Sequence, residues 1–210
     1  MKKIILLLII TSASLSSCKK TQDVSTVATI PTMGIVGDEA ITIPVGGSFT
    51  DLGAKLIDED GSVSTIMATE NPLNTNTPGF YTLRYKKITK SGYTATALRV
   101  VLVTSVSSSL DYSGTYVRTS NGQSVNVRKI GTGLYATNNV GGVPNDPAFV
   151  FDVYFGHTEN STIVVPLQDG GFGEVYCTNA SLSATPADTV IKWAVMGDRF
   201  GTALRTFSRK

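Results

Sequence analysis

Outside its first residues, this chain alternates apolar and polar side chains in short runs, each broken by glycine, proline, asparagine or aspartate. A period of two with frequent turns dictates β-strands and leaves little room for helix. Tyr81, Leu83 and Tyr85 fall on one face of such a run, with Thr82, Arg84 and Lys86 on the other. The segment 93–103 is β-branched, apolar and long enough for a central strand. The expectation is an all-β protein: a β-sandwich followed by an antiparallel barrel or sandwich of meander type.

The exception is the start. Lys2 and Lys3 precede an aliphatic run over residues 4–10, then Leu15, Ser16, Ser17 and Cys18. A basic start, a short apolar stretch and small residues describe a secretory signal over residues 1–17. The run is too short for the ~20 residues that cross a bilayer. Leu-Ser-Ser-Cys resembles the lipobox of bacterial lipoproteins. That resemblance implies cleavage before Cys18 and acylation of its thiol, which makes Cys18 the lipid attachment and an outer-membrane location the expected one. Residues 18–34, rich in Thr, Ser, Val and Lys, then read as a flexible tether. Relatives displayed outside the cell commonly carry acidic residues after that cysteine. Here Lys19 and Lys20 follow it, so the surface and the periplasmic face both stay open.

Charge and cysteine count narrow the rest. Without Lys2 and Lys3, the 18 Lys+Arg become 16, equal to the 16 Asp+Glu. A near-neutral mature chain with no basic cluster argues against nucleic acid as a partner. With Cys18 acylated, Cys177 has no disulfide partner and reads as a small buried hydrophobe.

Residues 35–104 carry a recognisable series of landmarks. Ile41-Thr42-Ile43-Pro44-Val45-Gly46-Gly47 leads to Phe49 and then Asp51-Leu52-Gly53-Ala54. Asp58-Glu59-Asp60-Gly61, Pro78-Gly79-Phe80, Ser91-Gly92 and Arg99-Val100-Val101-Leu102-Val103 follow in order. The series resembles a family of bacterial immunoglobulin-like domains, which serve as stalks and spacers in cell-surface proteins. The resemblance implies a fold and a location but no reaction.

A polar stretch over 104–109 separates this region from residues 110–210, enough for a second core. Eight strands are expected there, at 114–119, 124–129, 134–137, 149–155, 161–167, 173–177, 190–195 and 202–207, with a hairpin turn at Asn121-Gly122. Tyr112-Ser113-Gly114-Thr115-Tyr116 and the final Gly201-Thr202-Ala203-Leu204 resemble the C-terminal module of two-domain lipoproteins of gut Bacteroidota, whose genes often accompany glycan-uptake systems.

Catalytic signatures are missing. There is no Gly-x-Ser-x-Gly elbow, no His-Glu-x-x-His helix and no Walker loop, and one histidine, His157, leaves no multi-histidine metal site. No enzyme, cofactor or metal is expected. Asp58 and Asp60 superficially suggest calcium, but the twelfth position of an EF-hand loop falls on Thr69, and a polar turn explains them equally well. The long polar connection over 138–146 is the expected functional loop. Asparagine hydrogen-bonds sugar hydroxyls and an aromatic face stacks on a pyranose ring. Tyr135, Asn138, Asn139, Tyr154 and Trp193 are therefore the expected ligand-binding residues, with Phe172 a further aromatic. Trp193 has a competing reading, because Ile191 and Val195 share its strand face and make it a core residue. Three functions fit: a non-enzymatic lipid-anchored envelope protein that binds a polysaccharide or assists outer-membrane uptake proteins, an assembly protein joined through a strand edge, or a lipocalin-like carrier of an apolar ligand.

Overall fold

The computed structural model describes residues 29–159, 162–185 and 188–210. Cys18 and the signal fall outside the described residues. Among the described residues, fifteen strands and one short 3-10 turn make up the regular structure.

Six strands form the first module. Strands β1 (Thr32–Ile35), β3 (Ala54–Ile57) and β4 (Val63–Ile66) make one sheet in the order β1-β3-β4. Strands β2 (Ala40–Pro44), β5 (Gly79–Ile88) and β6 (Thr94–Thr104) make the other, in the order β2-β6-β5. The β2–β6 pair is parallel and the β5–β6 pair antiparallel. Between the sheets lie Ala54, Leu83, Tyr85, Ala97 and Val101, as the alternation required. Residues 32–34, expected in the tether, instead pair with β3. So short a run with a glycine inside it carries too little pattern to be seen alone.

The Asp-x-Gly-Ala landmark has a physical explanation. Arg99 is 2% exposed, and its charge is answered by Asp51 Oδ1 at 2.6 Å. The same carboxylate oxygen accepts from the Tyr85 hydroxyl at 2.6 Å and the Gly53 amide at 3.0 Å. Gly53 has φ +77, and a Cβ there would stand 2.8 Å from the Ile66 carbonyl oxygen. Only glycine fits, and it delivers Ala54 into the core.

Nine strands build the second module: β7 (Gly114–Arg118), β8 (Ser124–Gly131), β9 (Leu134–Thr137), β10 (Val153–Glu159), β11 (Thr162–Val164), β12 (Gln168–Gly170), β13 (Gly173–Ala184), β14 (Thr189–Met196) and β15 (Leu204–Arg209). Their order is β11-β10-β9-β8-β7-β15-β14-β13-β12, so neighbours in sequence are neighbours in space and the first strand pairs the last. The sheet curls until its two ends meet, where the Cys177 amide on β13 donates to the carbonyl of Val165, just after β11, at 3.2 Å. Tyr116, Tyr135, Phe155, Trp193 and Phe207 fill the interior. A barrel packed by its own rings has no room for an apolar cargo, which removes the support that the carrier reading needed. The expected strand at 149–155 begins only at Val153, since Pro147–Phe149 is a 3-10 turn capped by Asp146 Oδ1. The hairpin β12–β13 supplies the ninth strand, where eight were expected.

The modules pack closely. From Leu98 to Thr104, β6 is buried at every position. Ala97 and Val101 face the sandwich core, while Val100 and Leu102 face Leu134 with Phe80 and Tyr154. A strand covered on both faces reads as an unbroken apolar run, as Val100-Val101-Leu102-Val103 does. Gly156 makes the approach possible: a Cβ there would meet the Leu102 and Phe80 side chains at 2.7 Å. Threonine hydroxyls tie the backbones across the junction, from Thr42 to the Thr132 carbonyl, Thr82 to Leu167 and Thr104 to His157, at 2.7–2.8 Å.

Candidate functional site

The expected ligand residues do not form one surface. Tyr135 and Trp193 are each 1% exposed inside the barrel. Trp193 donates its indole N–H to the Val140 carbonyl at 2.8 Å, and Tyr135 stacks on Phe155 with ring centroids 5.4 Å apart. Neither ring can stack on a sugar, which corrects both assignments. β9 is buried on both faces, because Leu134 meets the first module while Tyr135 points into the barrel. Asn139 is also buried; it exchanges two hydrogen bonds with the Val143 backbone and holds its own loop in shape. Asn138 Oδ1 accepts from the Asn126 amide at 2.8 Å. Asn139 thus organises the loop, whereas the half-buried Asn138 commits its carbonyl oxygen to the β8 backbone. Phe172 packs against Phe149, 4.9 Å between centroids, beneath the Arg199 guanidinium.

Of Tyr135, Tyr154 and Trp193, only Tyr154 stands where a ligand could meet it. Val153 and Phe155 on β10 enter the barrel, so Tyr154 points outward to the first module. Its backbone is held on both sides by Gln168, whose side chain accepts from the Tyr154 amide and donates to its carbonyl, each at 2.7 Å. The tyrosine is shared by two adjoining hollows between the modules. One, of about 260 Å³, is lined by Glu39, Leu98, Asp152, Gln168 and Asp169 among others. The second, of about 450 Å³, runs along Asp38, Glu39, Thr42 and Arg128. These volumes bracket the lower end of small-ligand sites, roughly 300–1,000 Å³.

Charge is arranged asymmetrically around the ring. Arg128 Nη2 pairs with Asp152 Oδ2 at 2.5 Å, half-exposed. Burial, reinforced by Glu39 and Asp152, pushes the Tyr154 phenol above its ordinary value, and Arg128 opposes this. Burial with Glu174 nearby likewise raises Asp169, while the Leu98 amide opposes it. Glu174 is itself held by Arg84 at 2.5 Å, a link between the modules. The cleft therefore offers several carboxylate acceptors and one aromatic face, while the buried Gln168 amide is committed to the Tyr154 backbone.

The remaining candidates have structural roles. Asp58 Oδ1 accepts from the Glu59 amide and Asp60 Oδ1 from the Ser62 amide, both within the β3–β4 turn. Among the described residues no three His, Cys, Asp or Glu side chains gather as a metal site would need. Burial raises the Cys177 thiol far above its usual value. His157 is 1% exposed, and neither ring nitrogen has a hydrogen-bond partner among the described residues.

Comparison with known proteins locates one part of this architecture. No curated protein matches the chain. Among solved structures, the chain is similar to the crystal structure of a lipoprotein from Bacteroides thetaiotaomicron, at 22% identity over 86% of this chain and 100% of that one, with a TM-score of 0.39. Residues 33–103, the six-stranded sandwich, match the model of the Ig-like domain of bacterial surface proteins, so the chain is built from an Ig-like module followed by a C-terminal β module.

Proposed function

We propose that this is a non-enzymatic, lipid-anchored protein of the bacterial cell envelope, held to the outer membrane through Cys18, that binds a neutral glycan in the cleft between its modules. Support for the location comes from the Leu-Ser-Ser-Cys leader and from the surface-protein family matched by residues 33–103. Two or more acyl chains give stable attachment, since each buried methylene contributes roughly 0.8 kcal/mol.

The observation that carries the binding reading is the position of Tyr154 over hollows lined by Asp38, Glu39, Asp152 and Gln168. Carboxylates accept from sugar hydroxyls, while a tyrosine face packs on the C–H side of the ring. The Arg128–Asp152 pair adds donors on the rim. Calorimetric titration of the full chain against neutral oligosaccharides tests this. Tyr154→Ala should weaken binding by about tenfold, equivalent to ~1.4 kcal/mol. Retention of full affinity in that variant would remove the cleft from consideration.

One observation favours an alternative partner. The outer edge of β4 lies beyond the sheet order β1-β3-β4, and Val63, Ser64 and Thr65 on it are exposed. Such an edge can accept a strand from another protein. If neutral glycans fail to bind while a partner is captured that Val63→Pro abolishes, assembly is the function.

A further inference from the structure

One end of the C-terminal barrel holds two arginines that face inward. Arg118 lies opposite Phe207 in the β7–β15 register, and Arg205 lies opposite Trp193 in the β15–β14 register. Directly paired residues share a sheet face, and both aromatic partners belong to the barrel core. Arg118 and Arg205 therefore project on the same inner face as diagonal neighbours, with backbones roughly 7–8 Å apart.

Neither guanidinium has a carboxylate partner among the ion pairs of the described residues. Arg118 Nη1 donates to the carbonyls of Gly141 and Gly142 at 3.0 and 3.3 Å. Arg205 Nη1 donates to Gly201 and Ala203 at 3.2 and 3.1 Å, and its guanidinium lies 5.7 Å from the Phe200 ring centroid. On both side chains the Nε atom is buried and unpartnered. Arg205 is 7% exposed, whereas Arg118 is partly exposed and forms the solvent side of the pair. Burial, aided by the charge of Arg118, pulls the Arg205 guanidinium below its ordinary value.

A buried guanidinium beside a second, half-buried one, with no counter-charge, is unfavourable and persists where something else compensates it. A guanidinium offers a planar fork that matches a carboxylate, sulfate or phosphate. Here the Nη1 side of each fork is held by backbone carbonyls, which fixes its plane and leaves the Nε side without a partner. We propose that Arg118 and Arg205 form an oxyanion site at the barrel end beneath the Val140–Gly142 turn, accepting an acidic group of a ligand from the Arg118 side. The site is separate from the Tyr154 cleft, and its chemistry is opposite to that of a carboxylate-lined pocket.

The probes are inorganic sulfate, a galacturonate oligosaccharide and a neutral galactose oligosaccharide, titrated into the full chain by calorimetry at constant ionic strength. The expected result is saturable binding of sulfate, of the acidic oligosaccharide or of both, weakened about tenfold or more by Arg118→Gln, since hydrogen bonds to a charged group are at stake. Arg118→Lys keeps the charge but loses the fork and should also weaken binding. Tighter binding of the galacturonate identifies an acidic glycan as the source, and binding of sulfate alone identifies a free oxyanion. Thermal midpoints separate specific binding from the general stabilisation that sulfate gives any protein. An equal sulfate-dependent rise in wild type and Arg118→Gln, or no saturable binding of any acidic probe, overturns the proposal. The neutral oligosaccharide and Tyr154→Ala report on the cleft, so either site can fail without the other.

Discussion

Arg99 shows how a single buried charge governs the first module. Its guanidinium reaches Asp51, the Asp38 carbonyl and the Tyr85 hydroxyl inside the sandwich. Removing the carboxylate strands a buried cation, which typically costs about 3–5 kcal/mol. Asp51→Ala should therefore lower the denaturant midpoint sharply, whereas Arg99→Met with Asp51→Leu should restore much of the loss. His157 acts in the second module with a sign set by burial. Desolvation lowers its pKa, so the folded state keeps the ring neutral while the unfolded chain takes up a proton as pH falls below about 6.5. Stability is full well above that value and declines as the pH falls through it, from about 7.5 to about 5.5. With a single histidine in the chain, His157→Phe should flatten the dependence of the unfolding midpoint over that interval. A slope unchanged in the variant would assign the effect to carboxylates. Asp51 and Arg99 stood out in the sequence only as landmarks of the Ig-like resemblance; that they pair is visible only once β6 is packed against the Asp51 turn. The Arg118–Arg205 pair did not stand out at all, since its existence depends on a register between β7 and β15 that no local pattern encodes.

At the level of elements, β6 joins the modules. Period two was readable across Tyr81, Leu83 and Tyr85 because the neighbouring face of β5 stays partly wet. The uninterrupted run that follows Leu98 was readable as a central strand, but not as a strand pressed against a second module. That contact needs Gly156 on one side and Leu102 on the other, two features with nothing in common along the chain. Gly156→Val should open the junction, since its side chain would collide with Leu102 and Phe80. The measurable outcome is a lower melting midpoint and an increased radius in solution scattering. Loss of midpoint with no change in dimensions would mean that the barrel alone absorbs the strain. β9 teaches the same lesson about the site. Tyr135 looked like a binding residue because tyrosines near polar loops often are, yet a strand buried on both faces has no wet side to offer. Trp193 carried its own correction in the sequence, through Ile191 and Val195 at its flanks.

For the molecule as a whole, the polar connection over 104–109 is less independent than its composition implied. Lys129 donates to the carbonyls of Ser108 and Leu110 at 2.9 and 2.7 Å, and Thr104 is hydrogen-bonded to the barrel. Proteolysis within 105–109 should leave two fragments that stay associated until denaturant is added, as gel filtration of the nicked protein would show. Cys18→Ala should move the protein from the membrane to the soluble fraction, and persistence in membranes would defeat the anchor. The pairing of β7 with β15 has a consequence in time. Synthesis and export both deliver a chain from its N-terminus. The Ig-like sandwich can assemble as soon as residue 104 emerges, but the barrel has a missing stave until Leu204–Arg209 arrives. Until then β7 and β14 are open edges, and the half-made module is a target for holding chaperones while its neighbour is already folded.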